Sequence, residues 1–367
     1  MRLDNESGDA YLACERAAFE LSRERTVAVV GQDGECCVMT AETYLIEFGA
    51  QRISQAMAAS ARLVVTAERA AALGRPALRA VAIDVAALPP SVIGLLAGVG
   101  GLPHAGVSLP SGVAPADPLE SALLSLARMA GRLPAMIVLR PNNATGISPR
   151  AFPLTEANLR AGTRSEAQPP LRLSHLFSIH LPLRLAERSR LHLWRDDLGR
   201  EYHALEIGEK TLEPPVVRLH SECFTGDVLG SLRCDCEVQL IGAIERISRA
   251  GHGVLIYLPQ EGRGIGLTNK LRTYRLQEHG TDTYAANSHL GFGEDERDFQ
   301  AASTILEELG IAEVDLLSNN PDKSRELEAD GIRVRKVVSH DFGANPHNTA
   351  YIRAKRIREH SIRTADR

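Results

Sequence analysis

Nowhere in the chain is there an apolar run of roughly eighteen residues, so no membrane-spanning helix is expected. The opening MRLDNESGDAYLACERAAF has no apolar stretch behind a basic start, so no secretory signal is expected either. Basic charge is not in excess. The formal net charge is −4 and the pI about 6.3, which argues against a nucleic-acid partner for the chain as a whole. Six cysteines are too few for a disulfide scaffold, and no internal repeat of fixed period is present. What remains is a chain of 367 residues with 44% hydrophobic content, suited to a buried core and long enough for two domains at about 150 residues each. A cytoplasmic protein without membrane or nucleic-acid partners is the expectation.

The apolar pattern divides the chain near residue 170. Up to about 165, a helical pattern at 10–24 leads into a strand-like run at 26–30 and the turn Gly31-Gln32-Asp33-Gly34. Runs at 80–85 and 135–139 predict buried strands, with a helix around 118–130. The stretch AGTRSEAQPP at 161–170 is polar and ends in two prolines, which reads as a linker. Residues 171–212 predict a few strands and turns. Beyond them, strands are predicted at 216–219, 254–258, 314–317 and 332–338. Between these lie a helix with Leu240, Ala243, Ile244 and Ile247 on one face, a helix with Ala302, Ile305, Leu306 and Leu309, and a helix opened by Asn319-Asn320-Pro321. A basic helix is predicted at 347–360. The alternation points to an α/β (α+β) protein of two domains, 1–170 and 171–367.

Chemistry concentrates in the second half. Cys223, Cys234 and Cys236 fall within fourteen residues, spaced C-x10-C-x-C, with no second cysteine pair after them. Three thiolates on a tetrahedral ion leave one position for water, whose pKa the metal lowers toward neutrality. Two other readings of the spacing stay open: three buried free cysteines, or a structural site closed by His220 or a distant histidine. After the strand at 254–258 comes Gln260-Glu261-Gly262-Arg263-Gly264-Ile265-Gly266, a glycine-rich turn into a helix that can offer backbone N–H groups to phosphate. It is not a Walker A loop, and a plain tight turn explains it equally well. Arg218, Arg263 and Lys323 are candidate partners for anionic groups, and Glu261 for the amine and imine of a guanine. The charge cluster Asp295-Glu296-Arg297-Asp298 also reads as the solvated start of a helix.

Taken together, RLHSECFTGDVLGSLRCDCEVQL (218–240), YLPQEGRGIGLTNKLRTYRLQEHGTDT (257–283), LGFGEDERDF (290–299) and LLSNNPDK (316–323) resemble the GTP cyclohydrolase II family. The resemblance covers about 145 residues in consistent order. It implies a zinc-dependent hydrolase that opens the imidazole ring of GTP and releases formate and diphosphate. The product would be 2,5-diamino-6-(5-phosphoribosylamino)pyrimidin-4-one, the first intermediate of riboflavin biosynthesis. It implies Cys223, Cys234 and Cys236 as ligands of one zinc ion per subunit, with Mg2+ accompanying the triphosphate. It implies Arg218, Leu219, His220, Ser221, Glu222, Gln239, Glu261, Gly262, Arg263, Thr283, Ser318 and Lys323 as contacts to GTP. Asp295 matches the general base and Tyr274 a tyrosine near the guanine. Arg297 matches a residue assigned as a nucleophile toward the α-phosphate. A guanidinium stays protonated, so an electrostatic clamp is the simpler role. A homodimer is also implied. Pro259, Glu237, Ala285 and Ser318 depart from the usual pattern. They leave room for a cyclohydrolase-like relative acting on another purine or pyrimidine, of the uracil-catabolism type. A non-catalytic, zinc-stabilised nucleotide-binding protein is a third reading.

Residues 10–165 resemble a worn 3,4-dihydroxy-2-butanone 4-phosphate synthase domain, through 15–30, PRAFPL (149–154) and the stretch 160–167. That family's acidic run is replaced by Gln32-Asp33-Gly34-Glu35-Cys36-Cys37, and Arg150 and Thr163 or Arg164 stand where histidines belong. Too few oxygen ligands remain for a hard cation. No synthase activity is expected, and packing, dimerisation or regulation is the expected role.

Overall fold

The computed structural model describes residues 5–32, 34–49, 60–102, 110, 112–140, 151–164, 171–281, 283–343, 345–349 and 352–353. Arg150, residues 165–170 of the linker, and most of the predicted basic helix at 347–360 lie outside the described residues. Among those described, no helix is long and apolar enough to cross a membrane.

The chain forms two compact units. One comprises Met1–Pro170 together with Ile265–Glu296, and the other Leu171–Gly264 together with Arg297–Arg367. The first boundary falls at residue 170, where the prolines end. The inclusion of Ile265–Glu296 in the first unit differs from a continuous domain over 171–367, and the reason is apolar burial described below.

The first unit is built on a seven-stranded sheet of β1 (Val27–Gly31), β2 (Gly34–Thr40), β3 (Ala61–Val65), β4 (Val81–Asp84), β5 (Val113–Pro115), β6 (Ala135–Leu139) and β7 (Phe152–Thr155), in the order β5-β4-β3-β6-β2-β1-β7. All neighbours pair antiparallel except β1 and β7. Both faces are covered, which is why these strands are continuous apolar runs rather than alternating ones. Val64, Met136 and Val138 face α1 (Asn5–Ser22), α5 (Pro118–Met129) and α6 (Glu156–Gly162). Asp117 and Glu120 form a capping box that starts α5. Leu63, Val65, Ile137 and Leu139 face the other way, toward α2 (Ala41–Gly49), α3 (Ala67–Ala72) and α4 (Pro90–Ala97). The same core takes in Ile265, Leu276, Ala286, Leu290 and Phe292, from α8 (Gly266–Glu278), α9 (Thr283–His289) and the loop after it. At roughly 1.5–3 kcal/mol per fully buried large apolar side chain, those residues tie the segment to this unit.

The second unit has its own seven-stranded sheet. Its strands are β8 (Leu173–His180), β9 (Ser189–Asp196), β10 (Glu201–Gly208), β11 (Val216–Ser221), β12 (His252–Leu258), β13 (Glu313–Leu317) and β14 (Arg333–Val338). The order is β14-β13-β11-β12-β10-β9-β8. β11 to β14 are mutually parallel, and β8 to β10 form an antiparallel meander joined to β12. α7 (Cys236–Ala250) buries Ala243 and Ile247 on one face. α10 (Gln300–Glu308) and α11 (Pro321–Ala329) cover the other with Ala302, Ile305, Leu306 and Leu327. From β11 the chain runs to β12 on one side; from β13 it runs to β14 on the other. The carboxyl ends of β11 and β13 therefore flank a topological switch point, where open α/β sheets bind ligands.

Candidate active site

β11 ends at Ser221, and Cys223 follows two residues later at that switch point. A π-helical turn at Phe224–Val228 then folds the chain back, with Gly226 N donating to Cys223 Sγ at 3.3 Å. Cys234 and Cys236 return at the start of α7. The three sulfur atoms lie within 4.8 Å of one another, and Cys223 Sγ and Cys234 Sγ are 3.7 Å apart. Two thiolates at tetrahedral angles, each about 2.3 Å from one zinc ion, stand about 3.8 Å apart, so the donor set fits that metal. Among the described residues no histidine, acid or further cysteine joins the group. His220, the sequence candidate for a fourth ligand, instead places Nε2 3.1 Å from both oxygens of Asp227. Gly226 packs against the cluster: a Cβ there would lie 2.8 Å from Cys234 Sγ, 2.9 Å from Cys236 Cβ and 3.1 Å from Cys223 Sγ. With protons in place of a metal, the thiols oppose one another's ionisation. Hydrogen bonding to Cys223 and burial push Cys234 up to about 11 and Cys236 well above its ordinary value. A divalent ion reverses that balance, because it stabilises all three thiolates at once.

A buried acid holds the first cysteine in place. Asp227 accepts from Cys223 N at 3.0 Å and from the Tyr257 hydroxyl at 2.9 Å, in addition to His220. The His220 and Tyr257 rings stack at 5.6 Å. Burial lowers the His220 pKa despite Asp227, which keeps the ring neutral near pH 7 with Nε2–H directed at the carboxylate. Burial, then Asp227, raises the Tyr257 pKa and keeps the phenol protonated. On the far side, Asn348 Nδ2 donates to Cys234 O at 3.3 Å and Asn345 Nδ2 to Leu232 O at 3.1 Å, strapping the loop that carries the second and third cysteines. Asp227, Tyr257, Asn345 and Asn348 were not singled out from sequence. Only Asp227, inside the cysteine window, gave a local signal.

The other candidates in this unit cluster at the same strand ends. Buried Arg218 donates from Nη1 to Leu317 O at 2.9 Å and from Nη2 to Gln239 Oε1 at 2.6 Å. Gln239 donates in turn to Asp235, the residue between the paired cysteines, and its carbonyl accepts from His340 Nε2 at 2.8 Å. Lys323, at the start of α11, donates to Leu219 O at 2.7 Å, with Nζ 5.2 Å from the Phe299 ring centre. Ser318 closes a tight turn with Asn320, accepting from its N and donating to its O, both at 3.1 Å. Ser221 Oγ accepts from Gln260 at 3.0 Å, and Glu222 N donates to Leu258 O at 2.9 Å.

Glu261 is buried, with Oε2 accepting from Phe224 N at 2.7 Å and Oε1 from Gly262 N at 2.9 Å. The carboxylate expected to face a base thus also pins the turn after Cys223. Its loop is strained: Arg263 has φ +64 between Gly262 at +63 and Gly264 at +89, and a side-chain-bearing residue adopts that conformation only under constraint. Arg297, half-buried, sits with its guanidinium 5.5 Å from the Phe299 ring centre. Tyr274, Thr283 and Asp295 belong to the first unit. Tyr274 lies on α8 with Lys270 Nζ 5.8 Å from its ring centre, and Thr283 opens α9, its side chain outside the described residues. Asp295 is half-buried in the loop after α9.

A family model described as GTP cyclohydrolase II matches residues 175–339. A GTP cyclohydrolase-2 from Azospirillum brasilense is 39% identical over 362 residues, spanning 94% of this chain and 92% of that protein. The GTP cyclohydrolase-2 of Azotobacter vinelandii is 51% identical over 158 residues, 43% of this chain and 76% of its own. Among solved structures, RibBX, a two domain 3,4-dihydroxy-2-butanone 4-phosphate synthase from A. baumannii, covers 89% of this chain and 99% of its own at 15% identity, with a TM-score of 0.29.

Proposed function

Since the chain belongs to the GTP cyclohydrolase II family, we propose that it hydrolyses GTP to 2,5-diamino-6-(5-phosphoribosylamino)pyrimidin-4-one, formate and diphosphate, as the first step of riboflavin biosynthesis. The observation that carries this reading is the convergence of the Cys223, Cys234 and Cys236 sulfur atoms at a topological switch point, with no fourth protein ligand among the described residues. A zinc ion held there would supply Lewis-acid activation of water near neutral pH.

The rest falls to the chain's own residues. Two hydrolyses remove C8 of the guanine as formate, and a further water cleaves the α–β anhydride to release diphosphate. Asp295 is assigned as the general base that takes the proton from attacking water. Tyr274 is assigned to the guanine ring. Arg297 is assigned as a clamp on the α-phosphate rather than a nucleophile, because its charge is permanent and its role is to offset charge as the anhydride breaks. Arg218, Lys323 and the 262–264 loop are assigned to the triphosphate, which Mg2+ accompanies. Glu261 is assigned to the guanine edge while it keeps the Phe224 turn in place. Leu219, His220, Ser221, Glu222, Gln239, Thr283 and Ser318 complete the proposed GTP contacts. We assign the protein as a homodimer.

The test is to incubate purified protein with GTP and Mg2+ and to measure formate, diphosphate and the pyrimidine absorbance. All three should appear with the wild type and vanish with Cys234→Ser. Metal retention without turnover of GTP would point instead to another purine or pyrimidine substrate.

A further inference from the structure

The first unit does more than fill space before the cyclohydrolase sequence, because it grips the loop that carries Asp295. Arg69 on α3 is buried and donates from Nε to Leu96 O at 2.9 Å, and from its terminal nitrogens to Leu95 O and His289 O. These carbonyls lie in the last turns of α4 and α9, at the negative ends of the two helix dipoles, so one guanidinium caps two helices. Two residues further, Gly291 O accepts from Thr66 Oγ1 at 3.0 Å and from Arg128 Nη2 at 3.2 Å. Gly291 has φ +86, and a Cβ there would stand 3.0 Å from Thr66 Oγ1, so the main chain passes close against α3. On the other side of Asp295, Arg128 Nε lies 3.6 Å from Glu296 Oε1, which accepts from Gly293 N at 2.7 Å. Asn287 Nδ2 reaches Glu294 O at 3.3 Å, the carbonyl immediately before Asp295.

α8 is seated in the same way. Arg272 donates to Val99 O at 2.9 Å and pairs with Glu42 at 3.2 Å. Gly101, at φ +59, approaches so closely that a Cβ would meet Arg272 Cα at 2.9 Å.

We propose that the N-terminal part of the first unit is a positioning element for the general base, with Arg128 holding the Gly291 carbonyl before Asp295 and the Glu296 side chain after it, helped by Thr66 and Arg69 on the preceding main chain. Arg128 is a positioning residue and does not itself meet substrate. The inference rests on the assignment of Asp295 made above. An off-site change that displaces a reacting group by about 1 Å can cost on the order of 100-fold in rate.

The experiment compares full-length wild type, Arg128→Ala, Arg128→Lys and Glu296→Ala in formate release from GTP, with bound metal measured on each. Arg128→Ala should lose roughly 10- to 100-fold in kcat with KM near that of the wild type and metal content unchanged. Lysine can reach one of the two acceptors, so Arg128→Lys should fall between. Glu296→Ala removes an exposed partner without threatening the fold and should lower kcat in the same sense. Amide hydrogen exchange at 291–296 should quicken in Arg128→Ala while β3 and β6 stay protected. An active wild type with kcat unchanged in both Arg128→Ala and Glu296→Ala overturns this inference alone. A metal-loaded wild type inert on GTP overturns it together with the proposed function.

Discussion

Replacing Gly226 with alanine should weaken metal binding far more than it weakens the fold. The added methyl would lie 2.8 Å from Cys234 Sγ, 2.9 Å from Cys236 Cβ and 3.1 Å from Cys223 Sγ, well inside the roughly 3.5–4.0 Å of ordinary contact. In the metal-free protein the Cys223 and Cys234 thiols can rotate away, which leaves only the approach to Cys236 Cβ to be absorbed by the turn, and Gly226 sits in that turn rather than in either apolar cluster of its unit. With an ion bound, the sulfur positions are fixed and the clash cannot relax. Overpacking of this kind costs about 1–3 kcal/mol, which at 1.4 kcal/mol per tenfold weakens metal affinity roughly 5- to 140-fold. Competition between the protein and a chromophoric chelator for zinc measures this directly. Thermal unfolding of the metal-free forms should show a smaller loss than metal binding does, and excess zinc should restore much of any lost activity. Zinc affinity within twofold of the wild type would show that the three sulfur atoms do not close on an ion as described.

Two further expectations follow from other parts of the molecule. His340 is buried with its Nε2–H on Gln239 O, and burial, reinforced by Arg218, lowers its pKa from the ordinary 6.5 to about 4. The unfolded chain therefore takes up this proton first, so the stabilisation is complete above about pH 6.5 and is lost as pH falls toward 4. Urea unfolding from pH 7.5 to 4.5 should show the wild type losing stability more steeply than His340→Gln, and parallel curves would refute the assignment. Purified protein should show no turnover of ribulose 5-phosphate, and detectable synthase product would refute the reading of the first unit as worn.

Much of the fold was legible because burial writes a period into the sequence. The face of Leu240, Ala243, Ile244 and Ile247 is the face α7 turns to its sheet, and Gly251 ends that helix at φ +86 as a C-terminal glycine does. Runs such as Ala135–Leu139, without alternation, are strands covered on both faces. The cysteine spacing was legible as chemistry because few folds need three thiols so close together. The packing of Ile265–Glu296 on the first unit was not legible. α8 reads GLTNKLRTYRLQE, and of its two leucines outside the first residues, Leu276 is buried while Leu271 is exposed, so periodicity says little about its partner. Its anchors are Arg272 with Glu42 and the capping of His289 by Arg69, pairings across more than two hundred residues that leave no local mark. The double duty of Glu261 was hidden for the same reason, since nothing near it in sequence announces the Phe224 amide it accepts from.

Turnover of GTP should depend on the ion bound by the three thiols. Metal-free protein can be reloaded with known fractions of zinc, and formate release from GTP followed at each occupancy. The rate should rise in proportion to bound zinc and level off at one ion per chain. A rate that survives complete removal of the metal, or that fails to track occupancy, would contradict it.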